Sequence, residues 1–169
     1  QDGNTVLLGY IFKKVTSYDL DIYAKKYLFS ILKIKSFYWK KTPNHFSDPQ
    51  GGLYLPTKSL FKIGELIMNN GKYNNKQIIS KNWLKKSFKD YKPKKEYFGY
   101  GYQWWLKDDA IFGWGFNGQY LFILPKKKLF EFKHWLNQNS YSILFEKRHI
   151  NSIYFDTKNF MIYKKQTIV

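Results

Sequence analysis

The stretch from Ile111 to Pro125, IFGWGFNGQYLFILP, constrains the fold more than any other. Two short apolar runs meet at a segment with glycines at 113, 115 and 118, and the second run, Gln119 to Leu124, is stopped by Pro125. Runs of this length bounded by turn residues read as strands. Glycine has no Cβ, so backbone here is free to approach something closely. The spacing Gly113-x-Gly115-x-x-Gly118 also matches the dinucleotide fingerprint. That fingerprint works only where a helix follows and presents its N-terminus to phosphate. A strand follows here, which sets nucleotide binding aside.

The pattern around this hairpin predicts an α+β fold, with helices first and an antiparallel sheet after them. Leu8, Ile11, Phe12 and Val15 recur at helical spacing and predict a helix over 5–16 with those four residues buried. Ser17-Tyr18-Asp19 breaks it, and Asp19 caps a second helix with Leu20, Tyr23, Ala24, Tyr27 and Leu28 facing inward. A short aromatic strand, 36–39, and a loop with Pro43 and Pro49 follow. A third helix, capped by Thr57 or Ser59, buries Leu60, Ile63 and Ile67 and ends at Asn70-Gly71. Residues 76–79 read as short and extended. Ser80 caps a fourth helix through Trp83, Leu84 and Phe88. From Phe98 the period changes to two, which predicts strands over 98–106, 110–115 and 119–124. Phe130, Phe132 and His134 suit one further strand, and beyond Asn137 neither period holds.

Composition narrows the classes of function. The net charge of +17 points toward anionic partners. Of the 29 basic residues, however, only Arg148 is arginine, and lysine is spread along the chain. Nucleic-acid readers favour arginine for bidentate contacts. With two alanines and abundant Asn, Ile, Tyr, Phe and Lys, the bias is that of AT-rich codons. Cysteine is absent, which excludes disulfides, cysteine nucleophiles and thiolate metal sites. His45, His134 and His149 lack metal-ligand spacing, so no metal and no cofactor is expected. No apolar run reaches the roughly 18 residues of a membrane helix, and the compartment is left open.

Two Ser-x-x-Lys tetrads, Ser30 to Lys33 and Ser59 to Lys62, carry the spacing at which a neutral lysine can take a serine proton. Ten serines and abundant lysine produce such tetrads by chance. No G-x-S-x-G elbow is present.

Seven segments, in order, resemble the penicillin-binding and class C β-lactamase-related serine hydrolases, a group that includes esterases and 6-aminohexanoate-dimer hydrolases. Residues 9–16, GYIFKKVT, resemble LGxIIxKVTG, and residues 28–34, LFSILKI, resemble LFxPLGI. Residues 51–57, GGLYLPT, resemble GGLxxTP with the last two exchanged. Residues 62–66, KIGEL, resemble AKFGQL. Residues 70–80 with Trp83 resemble NGGxWNGKxIxSxxW, and 100–105, YGYQWW, resemble GYGYxWW. The opening hairpin resembles GxGGQ with its following strand. The resemblance covers about residues 1–129.

The resemblance implies the serine β-lactamase-like fold and hydrolysis of a small-molecule ester, amide or peptide-like substrate through an acyl-serine. It puts both tetrads at structural positions. Residues 1–4, QDGN, resemble the end of the family's tyrosine motif, whose tyrosine would precede Gln1. The chain is therefore expected to be a C-terminal part of such a hydrolase. It would lack the nucleophile, its lysine and the tyrosine, and be inactive alone. Phe116-Asn117-Gly118 matches the third motif, Lys/His/other-x-Gly, with Phe116 in place of a cation that would bind a substrate carboxylate. Asn117 would bond substrate and the Gln119 N–H would serve as one oxyanion donor. Phe116, Asn117, Gly118 and Gln119 are thus the expected substrate wall. Residues 130–169 lie beyond the resemblance and are expected to be an unassigned tail, the product of a truncated or frame-shifted gene. Two alternatives stand beside this reading. One is a non-enzymatic module that uses its lysines and aromatic rings to bind nucleic acid or glycan. The other is a catalytically dead member of the family that only binds ligand.

Overall fold

Local capping sets the first elements. In the computed structural model, α1 spans Asp2–Thr16 and ends where Ser17 takes a left-handed conformation, φ 60. Asp19 then caps α2, Leu20–Ala24, its carboxylate accepting from the Leu20 N–H at 3.0 Å. The helix widens into a π-helical turn over Lys25–Phe29. Ser30 explains the widening: both its N–H, at 3.0 Å, and its hydroxyl, at 2.6 Å, donate to the Lys25 carbonyl five residues back. The structure describes residues 2–91, 98–115, 119–136, 139–146, 153–156 and 161–164. The chain forms two units, 1–63 and 64–169, and α3, Thr57–Met68, begins in the first and ends in the second.

In the first unit Phe29, Leu32 and Ile34 are buried, and the Phe29 ring lies 4.8 Å from that of Phe37. A short ladder pairs β1, Tyr38–Trp39, with β2, Leu53–Tyr54. The strand predicted over 36–39 is thus reduced to its last two residues. Two expectations of burial fail. Of the α1 stripe only Phe12 is half-buried, its ring 5.0 Å from that of Tyr23, while Leu8, Ile11 and Val15 are exposed. The helix rests instead on Gly9, where a Cβ would stand 2.6 Å from Pro49 Cγ. Tyr23 and Tyr27 are likewise exposed, packed on each other with ring centroids 4.5 Å apart.

α3 begins at Thr57 in the first unit, so Ser59 lies within its first turn and is buried rather than capping. Leu66 and Ile67 supply its buried side. It ends at Gly71, φ +79, where a Cβ would collide with the Ile79 carbonyl, so no other residue fits. A hairpin of β3, Lys72–Tyr73, and β4, Lys76–Gln77, follows, turned by Asn74 and Asn75, both at positive φ. α4, Lys81–Ser87, is capped by Ser80, whose hydroxyl accepts from the Trp83 N–H at 3.1 Å.

The sheet has six antiparallel strands in the order β10-β9-β8-β7-β6-β5. The single strand expected over 98–106 is a hairpin of β5, Gly99–Tyr100, and β6, Trp105–Lys107, because Gln103 takes φ 65 and the Gly101 N–H closes on the Trp104 carbonyl at 2.8 Å. β7, Ala110–Gly115, and β8, Gln119–Leu124, match the expected strands. Pro125 ends β8 in a 3-10 turn that hands over to β9, Leu129–Leu136. β10, Asn139–Glu146, pairs with β9 beyond the point where the sequence period fades, and β11, Ile153–Asp156, pairs with β12, Met161–Lys164. Phe112 and Phe122 stand opposite one another, rings 5.1 Å apart, and are buried with Leu124 and Leu129. Next to them Ile123 pairs with Phe130, whose ring lies against Gly64 of α3.

Candidate active site

The β7–β8 hairpin carries the candidate site. Its register sets Gly115 opposite Gln119 and Trp114 opposite Tyr120. Phe116, Asn117 and Gly118, three of the four residues expected to form the substrate wall, lie outside the described residues. Gln119 is the exposed first residue of β8, between Gly115 on β7 and His134 on β9. His134 was not among the expected site residues. Its alternation with Phe130 and Phe132 marks it as a strand residue, but only the β8–β9 register brings it beside Gln119.

The glycines differ in their need for space. A Cβ at Gly115 would stand 3.3 Å from Gln119 Cβ, a tight fit at the narrow end of the hairpin. A Cβ at Gly113 would reach only 4.0 Å from the Trp104 ring, an ordinary contact. Among the described residues, the close approach expected of this segment therefore holds at Gly115. The neighbouring aromatic side chains form a continuous row. Trp114 is exposed and lies 5.7 Å from Trp105 and 5.5 Å from Tyr120, and Trp105 lies 4.8 Å from Tyr100. Partial burial pushes the Tyr120 phenol above its ordinary value.

Neither Ser-x-x-Lys tetrad forms a nucleophile with its base. The Ser30 hydroxyl donates to the Lys25 carbonyl at 2.6 Å, and Lys33 sits left-handed at the helix end, φ 54. The Lys62 ammonium donates to the Lys33 carbonyl at 2.7 Å. A serine and a lysine do meet elsewhere: Lys41 Nζ lies 3.1 Å from Ser47 Oγ. This pair belongs to a network that the sequence alone did not reveal. Lys41 bridges Asp19 and Asp21 at 2.9 Å each, and the Ser47 hydroxyl donates to Asp21 at 2.9 Å. The Ser47 N–H donates to Asp19 at 2.9 Å.

Electrostatics weigh against that pair as a nucleophile and its base. Burial works against the Lys41 charge, but its bonds to Asp21 and Asp19 outweigh it and raise the ammonium above its ordinary value. A lysine base must be neutral, and this one is held protonated. Burial likewise works against both carboxylates. Ser47 and Lys41 nevertheless hold Asp19 below its usual range, and Lys41 and Ser47 do the same for Asp21. Ser47 is fully buried. The network clasps the α2 N-terminus to the 41–47 loop.

A separate cleft in the second unit is lined by Phe88, Asp90, Leu106, Asp108, Asp109 and Lys126 among others. It lies at the β6–β7 turn and Pro125, the end of the hairpin away from Gln119, and Lys126 closes on Asp109 at 2.6 Å. Among the described residues no three His, Asp or Glu side chains gather as metal ligands, and no helix is long and apolar enough to cross a membrane.

Helices followed by a six-stranded antiparallel sheet, with a glycine hairpin in mid-sheet, define an α+β molecule of the β-lactamase-like hydrolase fold. Among solved structures the chain matches "Putative 6-aminohexanoate-dimer hydrolase from Bacillus anthracis", with TM-score 0.62 and 24% identity over 70% of this chain. The match takes in 33% of that chain, so this protein spans about a third of its length. At this identity the likeness is one of fold. No family model and no curated protein matches the chain.

Proposed function

We propose that Phe116, Asn117, Gly118 and Gln119 form the substrate wall of a serine-hydrolase acyl-transfer site, and that residues 1–129 are the C-terminal part of that hydrolase domain. The observation that carries this reading is the Gly115–Gln119 hairpin end within a fold shared with a hydrolase three times as long as the matched part. The chemistry is attack of a serine, carried on another part of the domain, on an ester or amide carbonyl. Water then releases the acyl group from that serine. The Gln119 N–H and the N–H of the nucleophile receive the developing oxyanion, and one such donor contributes about 3 kcal/mol at the transition state. Phe116 offers no cation for a carboxylate, which favours neutral esters and amides.

Among the described residues neither tetrad pairs its serine with its lysine as a base. The Ser30 hydroxyl is bonded to a helix carbonyl, and Lys62 is turned from Ser59 to the Lys33 carbonyl. Purified chain is expected neither to hydrolyse a p-nitrophenyl ester nor to be labelled by a fluorophosphonate. Hydrolysis abolished by the phosphonate would overturn that expectation.

One observation favours a second reading, a binding surface for stacked rings and anions. Trp83, Tyr102 and Tyr91 are exposed in a row, Trp83–Tyr102 at 5.6 Å and Tyr91–Tyr102 stacked at 5.0 Å. Lys89 Nζ lies 5.5 Å over the Tyr91 ring, and Lys81, Lys85 and Lys86 of α4 are exposed. Salt-sensitive binding of a dT oligonucleotide, lost in Trp83→Ala, would support this reading. Burial of Trp104, Trp105 and Trp114 would count against it: Trp104 and Trp105 are half-buried, with Trp104 on Phe88 and Trp105 beside Phe98, whereas Trp114 is exposed.

A further inference from the structure

A cluster of side chains that the proposed function leaves unused lies in the first unit, around the π-helical turn Lys25–Phe29. The Lys26 ammonium donates to the phenol oxygen of half-buried Tyr18 at 2.9 Å. The same nitrogen lies 5.0 Å from the ring centroids of Tyr18 and of Tyr27. Tyr27 meets the Tyr18 ring edge to face at 6.1 Å, and Tyr23 does so at 6.0 Å. The Tyr18 ring is thus held by two aromatic neighbours, with a cation at its oxygen.

The backbone fixes both partners. Thr16 Oγ1 accepts from the Tyr18 N–H at 3.2 Å, and the next carboxylate, that of Asp19, is bound by the Leu20 and Ser47 N–H groups and by Lys41. Lys26 is carried by the turn that Ser30 fixes through the Lys25 carbonyl. A π-turn re-aims the side chains of one helical turn and is frequent at functional sites.

An ammonium donates a stronger hydrogen bond to a phenolate than to a phenol, so this geometry favours the ionised oxygen. Bonds from Lys26 and Tyr27 hold the Tyr18 phenol below its ordinary value, and Lys26 is raised by its bonds to Tyr18 and Tyr27. Lys26 therefore stays protonated and acts as a donor, not as a base. Tyr91 is the contrast. Its hydroxyl donates to the Lys86 carbonyl at 3.2 Å, a bond that only the neutral phenol can make.

We propose that Tyr18 is a nucleophilic tyrosine and a site of covalent modification, taking a sulfonyl group from an electrophilic donor while Lys26 holds the phenolate. The phenol proton passes to buffer. The phenolate oxygen bonds to the electrophilic sulfur, the bond from sulfur to its leaving group breaks, and the leaving group departs as an anion. Lys26 remains an ammonium throughout, and nothing is oxidised or reduced. The inference does not depend on the hydrolase reading, because neither residue belongs to the Gln119 wall or to a Ser-x-x-Lys tetrad.

The test uses the whole chain and a limiting amount of an arylsulfonyl fluoride, which captures phenolates as stable aryl sulfonates with loss of fluoride. Initial rates at individual tyrosines are read by peptide mass spectrometry. Tyr18 is expected to react at least about tenfold faster than Tyr91. Lys26→Met should bring Tyr18 down to the Tyr91 rate, and Lys26→Arg, which keeps a cationic donor, should retain most of the advantage. Lys26 is exposed, so both variants should keep the native far-UV circular dichroism. Tyr18→Phe, with Lys26 in place, should abolish the fast-labelled fraction. Tyr18 reacting no faster than Tyr91, a fast fraction that survives Tyr18→Phe, or equal Tyr18 rates in wild type and Lys26→Met would each overturn the inference.

Discussion

At the scale of single residues, the clearest structural commitment is Ser47. Its hydroxyl and N–H reach two aspartates on a different segment, and its side chain is fully buried. Ser47→Ala would leave Asp21 short of a donor, and an expected loss of about 1–2 kcal/mol is readable by urea unfolding. The network also sets a pH window. Asp19 and Asp21 have folded values below the ordinary 3.8, so their contribution is present above that pH and lost as pH falls through the lowered values. Lys41 lies above its ordinary 10.5, so its contribution is present below that pH and lost as pH rises further. Unfolding midpoints should therefore fall in acid less steeply for Asp21→Asn than for the wild type. Because Lys41 and Asp21 are partly exposed, the effect should be about 1 kcal/mol or less. Gln119 offers a functional test in any protein that completes the site. Gln119→Pro removes the N–H and should lower kcat about 100- to 1000-fold with KM little changed, while Gln119→Ala keeps it. Equal kcat for the two variants would dismiss the Gln119 amide as an oxyanion donor.

At the scale of elements, caps and breakers act as their chemistry dictates. Asp19 and Ser80 begin helices by accepting from backbone N–H groups, and Gly71 ends one at positive φ. Ser80→Ala should cost about 1 kcal/mol and Gly71→Ala more, since its Cβ would strike the Ile79 carbonyl. Thermal melts of the two variants would rank them. The hairpin β7–β8 is legible for a related reason: period two and flanking glycines are short-range signals, and they place both strands correctly. The stretch 98–106 misleads because its alternation continues through Gly101-Tyr102-Gln103-Trp104, where the backbone turns back to pair β5 with β6. The core pair is a further test. Phe122→Ala removes a buried ring packed on Phe112 and should cost about 3–5 kcal/mol.

At the scale of the whole molecule, the comparison with a solved hydrolase supports the fold that the ordered motifs implied, and leaves a third of that protein's length in hand. The sheet runs through residue 129, where the resemblance fades, because β9 begins at Leu129 and pairs along β8 to His134. A further prediction belongs here. Chain truncated after residue 128 loses β9 and with it Leu129, part of the buried cluster with Phe112 and Phe122. It should lose cooperative unfolding, as checked by near-UV circular dichroism. A sharp transition in the truncated chain would show that strands β5–β8 suffice.

The sequence by itself determined the helix starts at Asp19 and Ser80, the stop at Gly71, the strands on either side of residues 116–118 and the α+β class. Each depends on residues within a few positions of one another, where capping, φ preference and period act directly. Only the tertiary structure decided the rest. It joined Asp19, Asp21, Lys41 and Ser47 into one network, set His134 beside Gln119, folded 98–106 into a hairpin, and left the apolar stripe of α1 uncovered. Periodicity states that a helix has an apolar side; which side is covered depends on surfaces distant in the chain, and on α1 the stripe faces outward.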